Sequence, residues 1–158
     1  MKNLNKLISK KNSSSRTGSI KTISTSEAIH IPKKNIQSAE LIENFGMKGD
    51  AHAGSEKQVS LLSFEKFDLI RALVPDIKPG DFAENITTEG IDLELLELGD
   101  IVEIGDAIKL EVTHLGKICH DDGCTIKIKV GKCILPQYGI FGRVICGGVF
   151  NVGDRIKI

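Results

Sequence analysis

The 158-residue sequence is poor in aromatic side chains, which make up 4% of it, with no Trp and a single Tyr. Proteins that bind single-stranded nucleic acid stack bases on aromatic side chains, so this scarcity argues against that class. The chain also lacks an excess of charge of either sign, because 21 Lys and Arg residues balance 21 Asp and Glu residues. A surface dominated by polyanion binding is therefore not expected, and we predict no nucleic-acid partner.

Long apolar runs are missing as well. No run approaches the roughly 18 residues that a membrane-spanning helix needs, and no apolar segment follows the basic N-terminus. We therefore expect a cytoplasmic protein without a membrane partner. Thiols stay reduced in the cytoplasm, so the four Cys residues are expected to be free, metal-bound or reactive rather than paired in disulfides.

The composition changes near residue 17. Residues 1–17 are basic, contain three consecutive Ser residues and precede the first acidic residue, Glu27. This composition predicts a flexible basic tail over residues 1–17 and a single compact domain over residues 18–158.

The domain reads as mainly β. Apolar and polar residues alternate over residues 108–113 and 126–130, and the short apolar runs end at Gly-Asp or Gly-Gly pairs. Val144 and Ile145 before Gly147-Gly148 indicate a hairpin. One segment has a helical period, and its apolar face is predicted to be core: Phe64, Phe67, Ile70, Leu73 and Val74. Many short strands with one or two helices predict a small, distorted β-barrel.

All four Cys residues lie in the last quarter of the chain. A buried, inert thiol is the favoured interpretation for Cys133 and Cys146. Cys119 and Cys124 have polar neighbours that suit a core poorly. Lys117 and His120 favour a reactive or ligating thiolate at Cys119, whereas Asp121 and Asp122 oppose it, so the charges around this thiol do not decide its state. A zinc site remains an alternative, although the spacing is wider than in the usual zinc knuckle; its ligands would be Cys119, His120, Cys124 and Cys133.

Two Gly-containing segments carry further candidate residues. His52 and Asp50 lie in the glycine-rich segment 49–54, where the histidine suits either an anionic ligand or a structural hydrogen bond. Glu84 and Asn85 end the segment 80–85 and suit either a pocket or the capping of backbone groups in a turn.

Four motifs in this order resemble the MOSC domain family, which is related to the C-terminal part of molybdenum cofactor sulfurases. The first is GMKGDAHAG at residues 46–54, which leads into QVSLL; the second and most specific is PGDFAENITTEG at residues 79–90. The third runs from LEVT at residue 110 to Cys119, and the fourth is GIFGRV at residues 139–144 with the later Gly148 and Gly153-Asp154. The chain is most similar to the short, stand-alone bacterial members.

The resemblance implies a fold and a set of site residues. The fold is a distorted β-barrel, similar to the barrel of pyruvate kinase, with a few short helices. Cys119 falls at the family's signature cysteine, which ligates molybdenum or carries sulfur as a persulfide, and Cys124 is the second candidate for this catalytic role. The residues implied in cofactor binding are Lys48, Gly49, Asp50, His52, Glu84, Asn85 and Arg143.

The resemblance also implies a function: binding of molybdenum cofactor, transport of sulfur as a cysteine persulfide for cofactor sulfuration, or both. The partners would be a cysteine desulfurase or another sulfur donor, and molybdoenzymes or cofactor-biosynthesis proteins. Pyridoxal phosphate would belong to the donor, because 158 residues cannot hold the barrel and an aminotransferase-like domain together. The alternatives are a molybdenum-cofactor-dependent reductase of N-hydroxylated compounds with a separate electron donor, and a zinc-stabilised, non-catalytic barrel.

Overall fold

The computed structural model describes residues 15–116 and 138–158. The predicted strand at 126–130 and three of the cysteines (Cys119, Cys124 and Cys133) lie outside the described residues. The strands are β1 Thr17–Thr25, β2 Lys34–Ile36, β3 Ser38–Ile42, β4 Gly46–Met47, β5 Val59–Ser63, β6 Ile86–Glu89, β7 Ile101–Ile104, β8 Ile108–Leu115, β9 Ile140–Cys146, β10 Gly148–Asn151 and β11 Arg155–Lys157.

The large sheet closes into a barrel, which confirms the predicted mainly-β class. Its order is β11-β7-β8-β9-β5-β6-β1-β2, and β11 also pairs with β1. Closure through β1 leaves β2 on the outside, so seven strands form the barrel. The pair β5–β6 is parallel and the remaining barrel pairs are antiparallel. A second sheet has the order β10-β3-β4.

Alternate apolar side chains of the strands fill the interior of the barrel. On β8, Ile108, Leu110 and Val112 are buried while Lys109 is exposed, as alternation in a half-buried strand requires. A second apolar cluster packs Leu62 and Phe141 against the segment that follows β5. The barrel therefore has one core inside it and a smaller one beneath this segment.

The predicted helix over residues 64–74 is shorter than expected. It begins as a 3-10 turn, Phe64–Phe67, and continues as one α-helical turn, α1, Asp68–Arg71. Leu73 lies beyond the last helical residue, Arg71, and is 60% exposed, contrary to prediction, while three others are buried: Phe67, Ile70 and Val74. No helix in residues 15–116 and 138–158 is long and apolar enough to span a membrane.

The predicted hairpin at Gly147-Gly148 is wrong. β9 pairs with β5 and β8, whereas β10 pairs with β3 in the second sheet. The chain crosses from one sheet to the other at Gly147, where an added Cβ would overlap the carbonyl oxygen of Leu41. The glycine therefore permits close approach of two backbones rather than a tight turn between paired strands.

This close approach gives a stability prediction. Gly147→Ala should lower the free energy of unfolding by about 1–3 kcal/mol, because the new methyl group meets a backbone atom that cannot rotate away. Gly142→Ala is the matched control: its Cβ would lie 3.2 Å from the Leu110 Cβ and 3.4 Å from the Glu111 carbonyl oxygen, contacts that a shift of a few tenths of an ångström relieves, unlike the overlap at Gly147. Neither glycine has a positive φ. Urea unfolding should show the larger loss at position 147; equal losses would contradict the argument.

The described end of the predicted tail is bonded to the barrel. Thr17 is the first residue of β1 and pairs with Lys157 of β11. The Asp92 N–H donates to the Ser15 carbonyl at 2.9 Å, and the Ile158 N–H donates to the Arg16 carbonyl at 2.9 Å. Residues 15–17 therefore belong structurally with the barrel, and the boundary of the tail at residue 17 remains a prediction.

Candidate functional site

A buried lysine meets the glycine-rich loop beside β1. The Lys33 side chain, just before β2, is fully buried, and its ammonium lies 2.7 Å from Asp50 Oδ1. The same Nζ lies 3.3 Å from Ser26 Oγ and 3.1 Å from His52 Nδ1. We call Thr25, Ser26, Lys33, Asp50 and His52 the Lys33 cluster. The structure thus brings together the predicted Asp50 and His52 and adds a lysine that the sequence did not single out.

Asp50 is held as a carboxylate. Besides the Lys33 ammonium, it accepts hydrogen bonds from the Ser26 N–H (3.1 Å), the Thr25 hydroxyl (3.2 Å) and the His52 N–H (3.1 Å). Burial alone raises the pKa of Asp50, but the hydrogen bonds from His52 and Lys33 and the charge of Lys33 outweigh it and hold the pKa well below its ordinary range. The carboxylate therefore compensates the buried ammonium.

The cluster fixes the orientation of the His52 ring. Nδ1 faces the interior of the cluster, 3.1 Å from the Lys33 ammonium and 3.5 Å from Asp50 Oδ2. When Nδ1 accepts from the lysine, the ring proton lies on Nε2, at the opposite edge of the ring. The side chain is 34% exposed. His52 is thus the member of the cluster that can offer an N–H donor to a ligand.

Most backbone N–H groups of the glycine-rich loop are already hydrogen-bonded within the protein. Five of the six N–H groups in residues 49–54 donate to protein acceptors: Asp50 to Met47 O, Ala51 to Ser26 O, His52 to Asp50 Oδ2, Ala53 to Asp50 O and Gly54 to Phe45 O. The loop is therefore not a ready phosphate cradle of the kind that Gly-rich loops form with free N–H groups. Any anion here would be bound mainly by side chains.

Glu84 and Asn85 lie in the interior rather than at a surface. Asn85 Oδ1 accepts from the backbone N–H (3.1 Å) and hydroxyl (3.2 Å) of Ser60, and its Nδ2 donates to the Ser24 carbonyl (3.3 Å). Asn85 thus joins β1, β5 and the start of β6. Glu84 Oε1 accepts from the Gly80 N–H at 2.6 Å, and burial raises the pKa of Glu84 to about 7.

Lys48 and Arg143 are exposed. The Lys48 ammonium lies 3.5 Å from Glu40, and Arg143 on β9 lies 2.9 Å from Glu111 on β8. Within the described part of the chain, neither side chain is bonded to the Lys33 cluster. Surface ion pairs of this kind break at little cost, so both cations remain available to an anionic ligand.

The segment that joins β8 to β9 contains Cys119 and Cys124, and its two ends lie side by side at one end of the barrel. Leu115 pairs with Ile140, and the Gly116 N–H donates to the Gly139 carbonyl. Cys119 and Cys124 lie in this connection, outside the described residues. Cys146 ends β9 and is exposed, so the prediction of a buried thiol there is wrong: the strand leaves the barrel at this residue.

A metal centre is not visible in the described residues: over 15–116 and 138–158, no three His, Cys, Asp or Glu side chains are placed to hold an ion. The ligands proposed for zinc, Cys119 and His120 among them, lie outside this part of the chain.

The fold and the site together define a small β-barrel domain with a charge-compensated lysine behind a partly exposed histidine. Residues 48–157 match the family model of the MOSC domain, and the chain belongs to that family. No curated protein is significantly similar to the chain in sequence.

Solved structures share the fold at low sequence identity. The YuaD protein from Bacillus subtilis is 19% identical, with a TM-score of 0.75 over 89% of this chain and 94% of that one. YiiM from Geobacillus stearothermophilus is 20% identical, with a TM-score of 0.66 over 88% of this chain and 73% of that one. YiiM from Escherichia coli is 18% identical, with a TM-score of 0.59 over 88% and 68%.

Proposed function

We propose that this MOSC domain protein binds molybdenum cofactor, carries sulfur as a persulfide on Cys119, or does both. The observation that carries the proposal is the Lys33 cluster, in which a buried Lys33–Asp50 ion pair holds the ring of the partly exposed His52. A ligand with anionic oxygen or sulfur would accept from His52 Nε2–H. Cytoplasmic location and a cysteine desulfurase as sulfur donor are parts of the same proposal.

The described residues fit the cofactor through side chains rather than backbone. His52 would donate to an anionic atom, Lys33 would strengthen that donor electrostatically, and Asp50 would keep the lysine charged and in place. Lys48, on the residue before the loop, would supply a movable cation for a phosphate. A cysteine thiolate is a soft ligand of the kind that suits molybdenum. The bound cofactor would supply the redox and sulfur chemistry.

Sulfur loading of Cys119 is chemically balanced without an added oxidant. The Cys119 thiolate attacks the outer sulfur of the donor's cysteine persulfide, a new S–S bond forms, and the donor's own thiolate leaves. One persulfide is consumed and one is made. Delivery to the thiolate of an acceptor protein repeats the exchange in the same sense, so this step needs only an accessible thiolate on each protein.

Cys119→Ser is therefore expected to abolish persulfide loading. The protein is incubated with a cysteine desulfurase and cysteine, and mass spectrometry locates the added sulfur. Cys146→Ser is the control, because Cys146 is an exposed thiol at the end of β9 and should be dispensable. Sulfur gained at Cys124 alone would transfer the role there, and unchanged loading in Cys119→Ser would overturn the assignment.

Elemental analysis of anaerobically purified protein separates the forms of the proposal. Molybdenum that is lost in the Cys119→Ser protein supports cofactor binding through this thiol. Persulfide without molybdenum supports sulfur transport alone. Zinc without either would favour a zinc-stabilised barrel and contradict the proposal.

A further inference from the structure

Glu84 is a buried carboxyl group that the proposed function leaves without a task. Its side chain is inaccessible to solvent, and Oε1 accepts from the Gly80 N–H at 2.6 Å and from the Thr87 hydroxyl at 3.1 Å. Oε2 is also buried and has no hydrogen-bond partner among the described residues. A buried polar atom without a partner costs free energy, so the arrangement calls for a compensating role.

Gly80 connects this carboxyl group to Lys33. The Gly80 carbonyl accepts from the Lys33 N–H at 3.0 Å. An added Cβ at Gly80 would overlap the Lys33 carbonyl oxygen, so Gly80 contacts both the N–H and the carbonyl group of Lys33. Gly80 also has a φ of +97°, which a residue with a side chain adopts only under strain. The turn at Gly80, which Glu84 holds through a hydrogen bond, is therefore in direct contact with the backbone of Lys33 and fixes its position.

We infer that Glu84 is a positioning residue: through Gly80 it holds Lys33 against Asp50 and His52, and its ionisation changes the strength of that hold. The contact chain is independent of any ligand, whereas its consequence for ligand binding rests on the proposed function.

The sign of the effect follows from the hydrogen bonds. An ionised carboxylate accepts a stronger hydrogen bond from the Gly80 N–H than a neutral carboxyl group does. The Gly80 N–H and the Gly80 carbonyl belong to neighbouring peptide groups that share one Cα, so a stronger bond to the N–H restrains the position of the carbonyl that receives the Lys33 N–H. The hold on Lys33 should therefore tighten as pH rises.

Titratable groups lie at both ends of the path that runs from Glu84 through Gly80 to Lys33. Burial raises the pKa of Glu84 to about 7, and the negative charge of Asp81 adds to the rise against the hydrogen bonds from Gly80 and Thr87. At the other end of the path, the Lys33 ammonium faces the Asp50 carboxylate and the His52 imidazole. Ionisation of Glu84 thus takes place near neutral pH.

NMR of the full chain tests the inference without a ligand. In the wild-type protein, the amide protons of Gly80 and Lys33 should titrate with the same midpoint as the Glu84 carboxyl carbon, near pH 7. Glu84→Gln keeps the acceptor oxygen and removes the ionisation, so both amide titrations should disappear. Should that variant fail to fold, the agreement of the three wild-type midpoints still decides the matter.

Glu65→Gln is the matched control. Glu65 Oε1 also accepts from a glycine N–H, that of Gly90 at 2.7 Å, but on the exposed surface. This variant should leave the Gly80 and Lys33 titrations unchanged. A Lys33 amide that titrates equally in the Glu84→Gln protein would overturn the inference, as would a Gly80 titration that is not accompanied by a Lys33 titration in the wild type.

A second measurement distinguishes the two proposals. Persulfide loading of Cys119 is measured from pH 6 to pH 8 in the wild type, in Glu84→Gln and in the control Glu65→Gln. Loading should depend less on pH in Glu84→Gln than in the other two proteins. If the wild type takes up neither sulfur nor molybdenum but the amide titrations vanish in Glu84→Gln, the proposed function fails and the positioning role stands. If loading occurs and the amide titrations are unchanged by the variant, the positioning role fails.

Discussion

Asp50→Asn is expected to lower the free energy of unfolding by about 3–5 kcal/mol, because it leaves the ammonium of Lys33 buried without its counter-charge. Both side chains are inaccessible to solvent, so water does not screen the loss. The amide also replaces one of the two oxygens that accept from Thr25, Ser26 and His52. Urea unfolding at neutral pH measures the change.

Lys33→Met shows whether the pair is the cause. Removal of the lysine leaves a carboxylate that still accepts from two backbone N–H groups and a hydroxyl, so this variant should lose less than Asp50→Asn. The double variant Lys33→Met/Asp50→Asn should be more stable than Asp50→Asn alone, because it contains no buried charge. Losses that simply add in the double variant would contradict a direct coupling of the two groups.

The pH dependence of the same pair has a definite sign. The pKa of Asp50 lies well below its ordinary range in the folded protein, so Asp50 contributes stability that is present above the unfolded value near 3.8 and is lost as pH falls below it. Its contribution does not change between pH 5 and pH 8. Changes of stability in that window must come from other groups.

Alternation made much of the barrel predictable from the sequence. The predicted strand over residues 108–113 agrees with β8 apart from two added residues. β6 was not predicted, because ITTE has two adjacent polar residues and lies inside a motif that reads as a turn. Those polar residues are buried by a parallel partner on one side and β1 on the other, an arrangement that local periodicity does not report.

The hairpin error has a different origin. A Gly-Gly pair after a strand usually marks a two-residue turn, but here it allows two backbones to come into contact. Whether β10 pairs with β9 or with β3 depends on contacts between residues far apart in sequence, which a local pattern does not contain.

The candidate site was predictable only in part. Asp50 and His52 were singled out because they lie in a glycine-rich loop. Lys33 was not, because nothing in Pro32-Lys33-Lys34 distinguishes the buried lysine from the exposed one after it. Its burial arises from Gly80 and Asp50, which are distant in sequence.

Glu84 and Asn85 illustrate the same limit for motif residues. Their place in the most specific motif suggested contact with a cofactor, and the sequence left open whether they face a pocket or cap backbone groups. In the structure they bond to backbone groups of β1, β5 and the Gly80 turn, and to the hydroxyl groups of Ser60 and Thr87. A specific motif therefore identifies important positions without separating a residue that touches a ligand from one that supports such a residue.

Glu84→Gln is expected to remove a fall in stability that the wild-type protein shows as pH rises toward neutrality. The pKa of Glu84 is about 7 in the folded protein and 4.5 as its ordinary value, so between these pH values the folded chain keeps a proton that the unfolded chain has lost. Wild-type stability should therefore fall by roughly 3 kcal/mol as pH rises from 4.5 to 7, since one pKa unit corresponds to about 1.4 kcal/mol. Below pH 4.5 and above pH 7 the free energy of unfolding no longer changes with the ionisation of Glu84.

The variant removes the titrating group and keeps the Oε1 acceptor, so its stability should stay level across the window. The difference in free energy of unfolding between Glu84→Gln and wild type should move by roughly 3 kcal/mol in favour of the variant between pH 4.5 and pH 8, or about 6–12 °C in Tm for a chain of this size. Glu65→Gln should follow the wild-type curve. Parallel curves for Glu84→Gln and wild type would show that Glu84 ionises with the same pKa in the folded and the unfolded chain, which would contradict the prediction. A divergence of the expected size would show that the chain accepts a buried charge at neutral pH, at a cost in stability, next to the turn that supports Lys33.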